Sequence, residues 1–206
     1  MRNFAKSLIA LAMLAALPLA ANAESQFQTG SGTLNASARL DFQVTIPKVL
    51  FLQVGTGTAA GNNTTVNQIA FAVPAANVGD SSAIAATAGS GDLGNGQVTA
   101  RVLGNNGNVT FTSTTTGALS NGSGDSISYN QIAAAAAVLT SATPLPSPAL
   151  ADGATTTVTL TPTSGKIINR DARWTFSYLN QTLAAPGTYG GINTNNSRVT
   201  YTASMP

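Results

Sequence analysis

The sequence contains no cysteine and no histidine. Without cysteine, no disulfide can stabilise the fold. Without histidine, the chain lacks the usual general base, the serine–histidine and cysteine–histidine nucleophile pairs, and the commonest zinc ligand. We therefore expect packing and backbone pairing to stabilise the protein, and we expect no enzymatic activity, no catalytic residue, no metal site and no cofactor.

Charge is also scarce, since Asp, Glu, Lys and Arg make up only 8% of the chain. The formal net charge is +2, but two of the nine basic residues, Arg2 and Lys6, lie in the first 23 residues. Without them the basic and acidic residues balance. No basic stripe remains to neutralise a phosphate backbone, so we expect no nucleic-acid partner.

The first 23 residues have the pattern of a secretory signal peptide. Both of those basic residues precede an apolar stretch, Leu8–Leu19, and Ala21-Asn22-Ala23 forms a small-x-small cleavage site. The alternative is a membrane anchor, but the stretch is shorter than the ~20 residues that span a bilayer. We expect export in a Gram-negative bacterium to the periplasm, cell surface or medium, as a single domain of residues 24–206 without a stable membrane span.

What the chain does contain is threonine, serine, asparagine and glycine in place of lysine and glutamate. Threonine suits the solvent face of strands, while glycine and asparagine suit the turns between them. Hydrophobic residues make up 43% of the chain, which argues against a disordered protein. This composition favours an all-β protein.

The clearest pattern is an unbroken alternation of polar and apolar residues from Thr33 to Ile46. Successive strand residues point to opposite faces, so this pattern predicts a β-strand with one dry face. At ~3.3 Å per residue the run reaches about 45 Å, roughly twice a typical strand. It therefore either bends across two sheets, helped by Pro47, or extends beyond its own domain. Its apolar members are Leu34, Ala36, Ala38, Leu40, Phe42, Val44 and Ile46.

Further alternating segments predict eight or nine strands with turns between them. Because no amphipathic helices intervene, they indicate a two-sheet antiparallel sandwich. Residues 98–102 and 109–111 are predicted to pair as a β-hairpin. Residues 132–139 are alanine-rich and fit either a short helix or a strand. The other alternating segments are Thr156–Thr161, Ala172–Tyr178 and Val199–Ala203.

One cluster suggests a ligand-binding surface. Arg170, Arg173, Trp174 and Tyr178 could grip an acidic sugar or partner, with arginine forks on carboxylates and the indole stacked on a ring. The competing interpretation makes Trp174 a core residue, because it alternates in phase with Phe176 and Tyr178. A monomeric carbohydrate-binding or adhesive module, with polysaccharide as its partner, is thus the alternative function.

The aspartates give little support for other chemistry. Asp80, Asp92 and Asp125 stand singly in glycine-, serine- and asparagine-rich loops, where ordinary turns explain them better than calcium binding. A hydrolase would need two carboxylates placed across a cleft. No pair of aspartates forms a recognisable motif, so we do not expect one.

The C-terminal region resembles a family of exported proteins. Ala185-Pro186-Gly187-Thr188-Tyr189, followed by Arg198-Val199-Thr200-Tyr201-Thr202-Ala203, is similar to the closing strands of fimbrial-type and spore-coat-U-like subunits. The resemblance implies an immunoglobulin-like sandwich with an exposed edge that pairs with a strand of another subunit. It also implies copies of the chain or related subunits as partners, with help from a periplasmic chaperone.

These observations together favour an exported, non-enzymatic structural subunit of a fimbria or cell surface. Its assembly would depend on strand pairing, because unprotected strand edges invite the addition of another strand. The residues that we expect to take part lie in the long alternating run and in the last strand. They are Leu34, Leu40, Phe42, Val44, Ile46, Val199 and Tyr201.

Overall fold

The computed structural model describes residues 25–58 and 60–206. It divides the chain into two units, Met1–Ile46 and Pro47–Pro206, which are taken separately below. The predicted signal peptide lies outside the described residues. Within the described ranges, no helix is both long and apolar enough to cross a membrane.

The second unit contains a five-stranded antiparallel sheet. Its centre is β9, which pairs along one edge with β3 and β2 and along the other with β7. β1 pairs with the outer edge of β3. The strands are β1 (Leu50–Val54), β2 (Ile84–Ala85), β3 (Gln97–Gly104), β7 (Ile132–Ala137) and β9 (Ile168–Tyr178).

A second antiparallel sheet has three strands, with β4 in the middle. β10 pairs with one edge of β4 and β8 with the other. A small ribbon of β5 and β6 stands apart from both sheets. The strands are β4 (Val109–Thr114), β5 (Leu119–Ser120), β6 (Ser126–Ile127), β8 (Thr155–Leu160) and β10 (Thr200–Ser204).

The core lies between the two sheets, and alternation along the central strands creates it. On β3 and β4 every second residue is buried, and the inward side chains include Val102 and Phe111. β9 contributes Trp174, which is fully buried. Residues of both sheets belong to one buried cluster. The predicted all-β antiparallel sandwich is therefore confirmed.

The predicted hairpin between residues 98–102 and 109–111 is wrong. β3 pairs with β1 and β9, whereas β4 pairs with β8 and β10, so the two strands belong to opposite sheets. The short connection between them lets the chain cross from one sheet to the other. Both strands then turn their apolar sides toward the same core. Two strands in facing sheets and two strands of a hairpin show the same alternation in the sequence, so the pattern did not distinguish them.

The alanine-rich segment is a strand and not a helix. β7 runs antiparallel along β9, from Ile132 opposite Tyr178 to Ala137 opposite Arg173. Alanine favours helices in isolation, but pairing with a buried central strand overrides that preference.

The proline-rich segment that follows β7 covers one end of the core. Leu145 is fully buried; its N–H donates to the Asp171 carbonyl at 3.1 Å, and its carbonyl accepts from Trp174 Nε1 at 2.7 Å. Prolines on both sides of Leu145 prevent the segment from joining a sheet ladder, so it binds the core through single hydrogen bonds and two buried side chains, Leu145 and Pro148.

The first unit differs from the sequence prediction. No strand forms among residues 25–49, so the expected half-buried strand at Thr33–Ile46 is absent from the structure. Every residue from Ser25 to Ile46 is exposed. A strand requires a neighbour that supplies hydrogen bonds and covers the apolar face, and alternation alone provides neither.

Candidate functional site: strand edges and the segment 25–46

Besides the short β2, four strands of the two sheets each have a single ladder partner among the described residues. β1 pairs only with β3, β7 only with β9, and β8 and β10 only with β4. Their outer edges therefore present backbone N–H and C=O groups that no other described strand pairs. Such edges are templates for an additional strand.

β10 is the most informative of these edge strands. Its inward residue Tyr201 lies opposite Ser113, and its ring centroid is 5.3 Å from that of Trp174 and 6.1 Å from that of Phe111. Burial of the Tyr201 hydroxyl raises its pKa well above the usual range for tyrosine. The last strand is thus anchored in the core by one aromatic side chain, although no other described strand pairs with its outer edge.

The core is less completely covered at β1 and β10 than at its centre. Leu52 and Val54 of β1, and Tyr201 and Ala203 of β10, pack against the core but remain half-exposed. The two strands lie close to each other, and a Cβ at Gly104 would lie within 4 Å of both Leu50 of β1 and Met205, the residue after β10. One side of the sandwich therefore has two strand edges that pair with no other described strand, and partly exposed apolar side chains lie beside them.

The segment 25–46 has an exposed apolar face but forms no strand. Its large apolar side chains are between 47% and 90% exposed, with Phe42 at 87% and Val44 at 83%. Within the segment, side chains of Gln26 and Gln28 accept hydrogen bonds from the backbone of Ser37 and Asn35. Soluble proteins seldom leave such contiguous apolar side chains without a binding role.

The predicted strand-pairing residues lie in the segment 25–46 and at β10. Leu34, Leu40, Phe42, Val44 and Ile46 lie in the segment 25–46, Tyr201 lies in β10, and Val199 immediately precedes β10. The first five belong to none of the strands among the described residues.

The predicted ligand-binding residues do not share one surface. Trp174 is fully buried and Tyr178 is 5% exposed, so neither ring offers a free face for stacking. Arg173 is exposed, on the outer side of β9, since strand neighbours point to opposite faces. The prediction of a combined arginine and tryptophan platform is wrong, and the interpretation of Trp174 as a core residue is confirmed.

Arg170 lies at the other end of β9, beside a small cleft. Its guanidinium donates to the Thr161 carbonyl at 3.0 Å, a contact that ties β9 to the end of β8. The cleft has a volume of about 70 Å³. Small-molecule sites usually occupy about 300 Å³ or more, so this cleft has room only for a few waters.

Sequence reasoning missed the most strongly perturbed carboxylate. Asp171 accepts hydrogen bonds from the backbone N–H groups of Thr140 and Ser141, each at 2.9 Å, and from the Thr140 hydroxyl. Burial alone would raise the pKa of this carboxyl, but the hydrogen bonds outweigh it and hold that pKa well below the usual range. These contacts fasten the segment after β7 and indicate a structural role.

The described residues contain no group of three or more aspartates or glutamates that could hold a metal ion. Comparisons with known proteins found no matching family model, no matching curated protein and no matching solved structure.

Proposed function

We propose that this protein is an exported, non-enzymatic structural subunit that assembles by β-strand addition between copies. The segment 25–46 of one copy would add a strand to the sandwich of the next. The observation that carries the proposal is the exposed apolar face of that segment, which alternates without an error through Ile46. The signal-peptide pattern of residues 1–23 supports export.

The edge that best suits this strand is the unpaired side of β10, facing β1. An added strand needs backbone groups to pair with and an apolar surface for its inward side chains. β10 offers the first, and the half-exposed Tyr201, Ala203 and Leu52 offer the second. The edges of β7 and β8 are less suitable, because their exposed side chains are mostly alanine and threonine.

The magnitudes favour assembly. Burying a large apolar side chain contributes about 1.5–3 kcal/mol, and the segment offers four that are at least 76% exposed between Leu40 and Ile46. Each new ladder hydrogen bond adds roughly 0.5–1.5 kcal/mol. These gains are offset by lost translational and rotational freedom, which costs about 4–15 kcal/mol, and by the further cost of ordering the segment. The surplus is sufficient only when several side chains enter together.

The test compares two neighbouring positions on opposite faces of the proposed strand. Val44→Asn places an amide on the apolar face, whereas Gln43→Asn alters only the polar face. Loss of one buried valine should weaken self-association by roughly 10- to 100-fold, measured by analytical ultracentrifugation across a concentration series. Gln43→Asn should associate like the unchanged protein.

Two results would contradict the proposal. One is a protein that stays monomeric at every concentration, alone and with the synthetic peptide of residues 33–46 added. The other is equal weakening by both substitutions, since strand pairing requires the two faces to differ. Because the chain has no cysteine, a disulfide between cysteines introduced at Thr45 and Thr202, which would both point to the outer face of the extended sheet, would report the proposed contact directly.

The alternative function, a monomeric carbohydrate-binding module, depended mainly on Trp174 as the aromatic residue that stacks on a sugar. Stacking on a sugar requires an exposed aromatic face, and Trp174 is in the core. No observation in the described residues favours this alternative over strand pairing.

A further inference from the structure

The outer face of the three-stranded sheet carries a regular array of hydroxyl side chains, here called the threonine face. The register aligns its members in three rows across β10, β4 and β8. The rows are Thr200–Thr114–Thr155, Thr202–Thr112–Thr157 and Ser204–Thr110–Thr159. Every residue of the array carries a hydroxyl group, and all but one are threonine.

The array is open to solvent and uncharged. All three residues of β8 and all three of β10 are exposed, and those of β4 are exposed or half-exposed. The three strands contain no Asp, Glu, Lys or Arg. A solvent-facing sheet normally mixes charged side chains among its polar ones, and this face has none.

Contacts within the array orient its central hydroxyl groups. Thr114 Oγ1 lies 2.8 Å from Thr155 Oγ1, and the Thr112 hydroxyl donates to the Thr202 carbonyl at 3.4 Å. β-branched side chains are also restricted at χ1, so each methyl and hydroxyl holds a defined direction. The face therefore presents a semi-rigid pattern in place of freely rotating groups.

Sheet geometry sets the two repeats of this pattern. Neighbouring strands lie about 4.8 Å apart, and residues two apart along a strand lie about 6.8 Å apart. A hydroxyl and a methyl thus recur on a nearly rectangular two-dimensional grid. The oxygen atoms on a prism face of ice form a rectangular grid with similar repeats in both directions.

The chemistry of the face disfavours other ligands. It lacks the positive charge that nucleic acids or anionic lipids require, and it lacks the aromatic rings on which sugars stack. Its methyl groups are too small and too dispersed for a hydrophobic anchor. What it can match is an extended, periodic surface of water.

We propose that the threonine face binds ice, with its hydroxyl and methyl groups holding a layer of water in register with the crystal lattice. The face has only three strands, and sheet twist of about 20° per strand moves the outer strands, β10 and β8, off a flat plane. The proposed activity is therefore adhesion to ice and slowed recrystallisation, with little depression of the freezing point. It is independent of assembly between copies, because each subunit carries a complete array.

The test follows partition of the fluorescently labelled, purified protein into a slowly growing ice hemisphere. The unchanged protein should enter the ice, whereas Thr157→Tyr and Thr202→Tyr, on opposite sides of β4, should be left in the liquid. Tyrosine is well tolerated on exposed strands, so both variants should keep the melting temperature of the unchanged protein. The matched control is Thr175→Tyr, on the outer face of the other sheet, which should enter the ice.

Three outcomes would overturn the proposal. The unchanged protein could be excluded from ice like an unrelated globular protein of similar size. Thr175→Tyr could reduce partition as much as the two array variants do. Finally, the array variants could convert a dimer into a monomer without changing partition, which would assign the face to contact with a second copy.

Discussion

At the scale of single residues, Trp174 shows how a solvent-excluded position is recognised in the sequence. It alternates in phase with Phe176 and Tyr178, and all three are buried. Its ring also packs near Phe111 of the opposite sheet, at a centroid distance of 6.0 Å. The alternation along the strand predicted that Trp174 is buried. Its hydrogen-bond partner Leu145 could not be predicted in this way, because it lies in a proline-rich segment without alternation.

Replacing Trp174 by Phe should destabilise the fold. Phenylalanine keeps one aromatic ring but leaves part of the indole volume empty. The buried Leu145 carbonyl also loses its donor, which alone costs about 1–3 kcal/mol. Urea denaturation should show a lower midpoint with an unchanged slope. Arg173→Ala, at the exposed neighbouring position, should stay within about 0.5 kcal/mol. Equal effects of the two substitutions would contradict the buried hydrogen bond.

Asp171 makes stability depend on pH. Its pKa is lower in the folded protein than in the unfolded chain, so its contribution is complete above the unfolded value near 3.9 and is lost as the pH falls toward the folded value. Asp171→Asn should therefore lose stability at neutral pH and show a flatter decline below about pH 5. Free energies of unfolding from urea titrations at several pH values check this.

The control for that titration is Asp41→Asn, an exposed position in the segment 25–46. Its acid decline should follow that of the unchanged protein. A decline below pH 5 that is equally steep with Asp171→Asn would show that other groups are responsible.

At the scale of elements, alternation predicted strands well where a sheet exists to receive them. The segments at 156–161, 172–178 and 199–203 correspond to β8, β9 and β10, with ends that differ by at most four residues. The same pattern at 33–46 forms no strand, and that of 98–111 forms two strands of different sheets. Alternation reports which faces are apolar, but it does not report which strand lies alongside.

Turns between elements depend on glycine where backbone approaches backbone. Gly91 has a φ of +80°, and a Cβ there would lie 2.1 Å from the Gln97 carbonyl oxygen. Gly91→Ala should therefore destabilise the fold by more than about 1 kcal/mol, because both the dihedral angle and the contact are unfavourable.

Gly107 is the matched position for that substitution, with a φ of +97° and open space where a Cβ would lie. Gly107→Ala should cost only the dihedral strain. Thermal unfolding of the two variants separates the contributions, and equal losses would show that no close backbone approach exists at Gly91.

At the scale of the whole molecule, the balance of charge bears on how copies would associate. The proposed contact is made by backbone ladders and apolar side chains, and residues 24–206 carry equal numbers of basic and acidic residues. Screening by salt acts mainly on charged pairs. Sedimentation at low and high ionic strength should therefore give nearly the same self-association constant. A steep decline with salt would point to charged contacts instead.

The sequence by itself determined the all-β class, the phase of each main strand and the burial of Trp174, because these follow from local alternation and from the size of the side chains. Only the tertiary structure decided that β3 and β4 lie in different sheets, that Asp171 fastens a covering segment, and that threonines of three strands form one array. Those features join residues far apart in the chain, and no local pattern records which strands become neighbours. The exposure of the segment 25–46 has the same origin, since a strand exists only where another strand pairs with it.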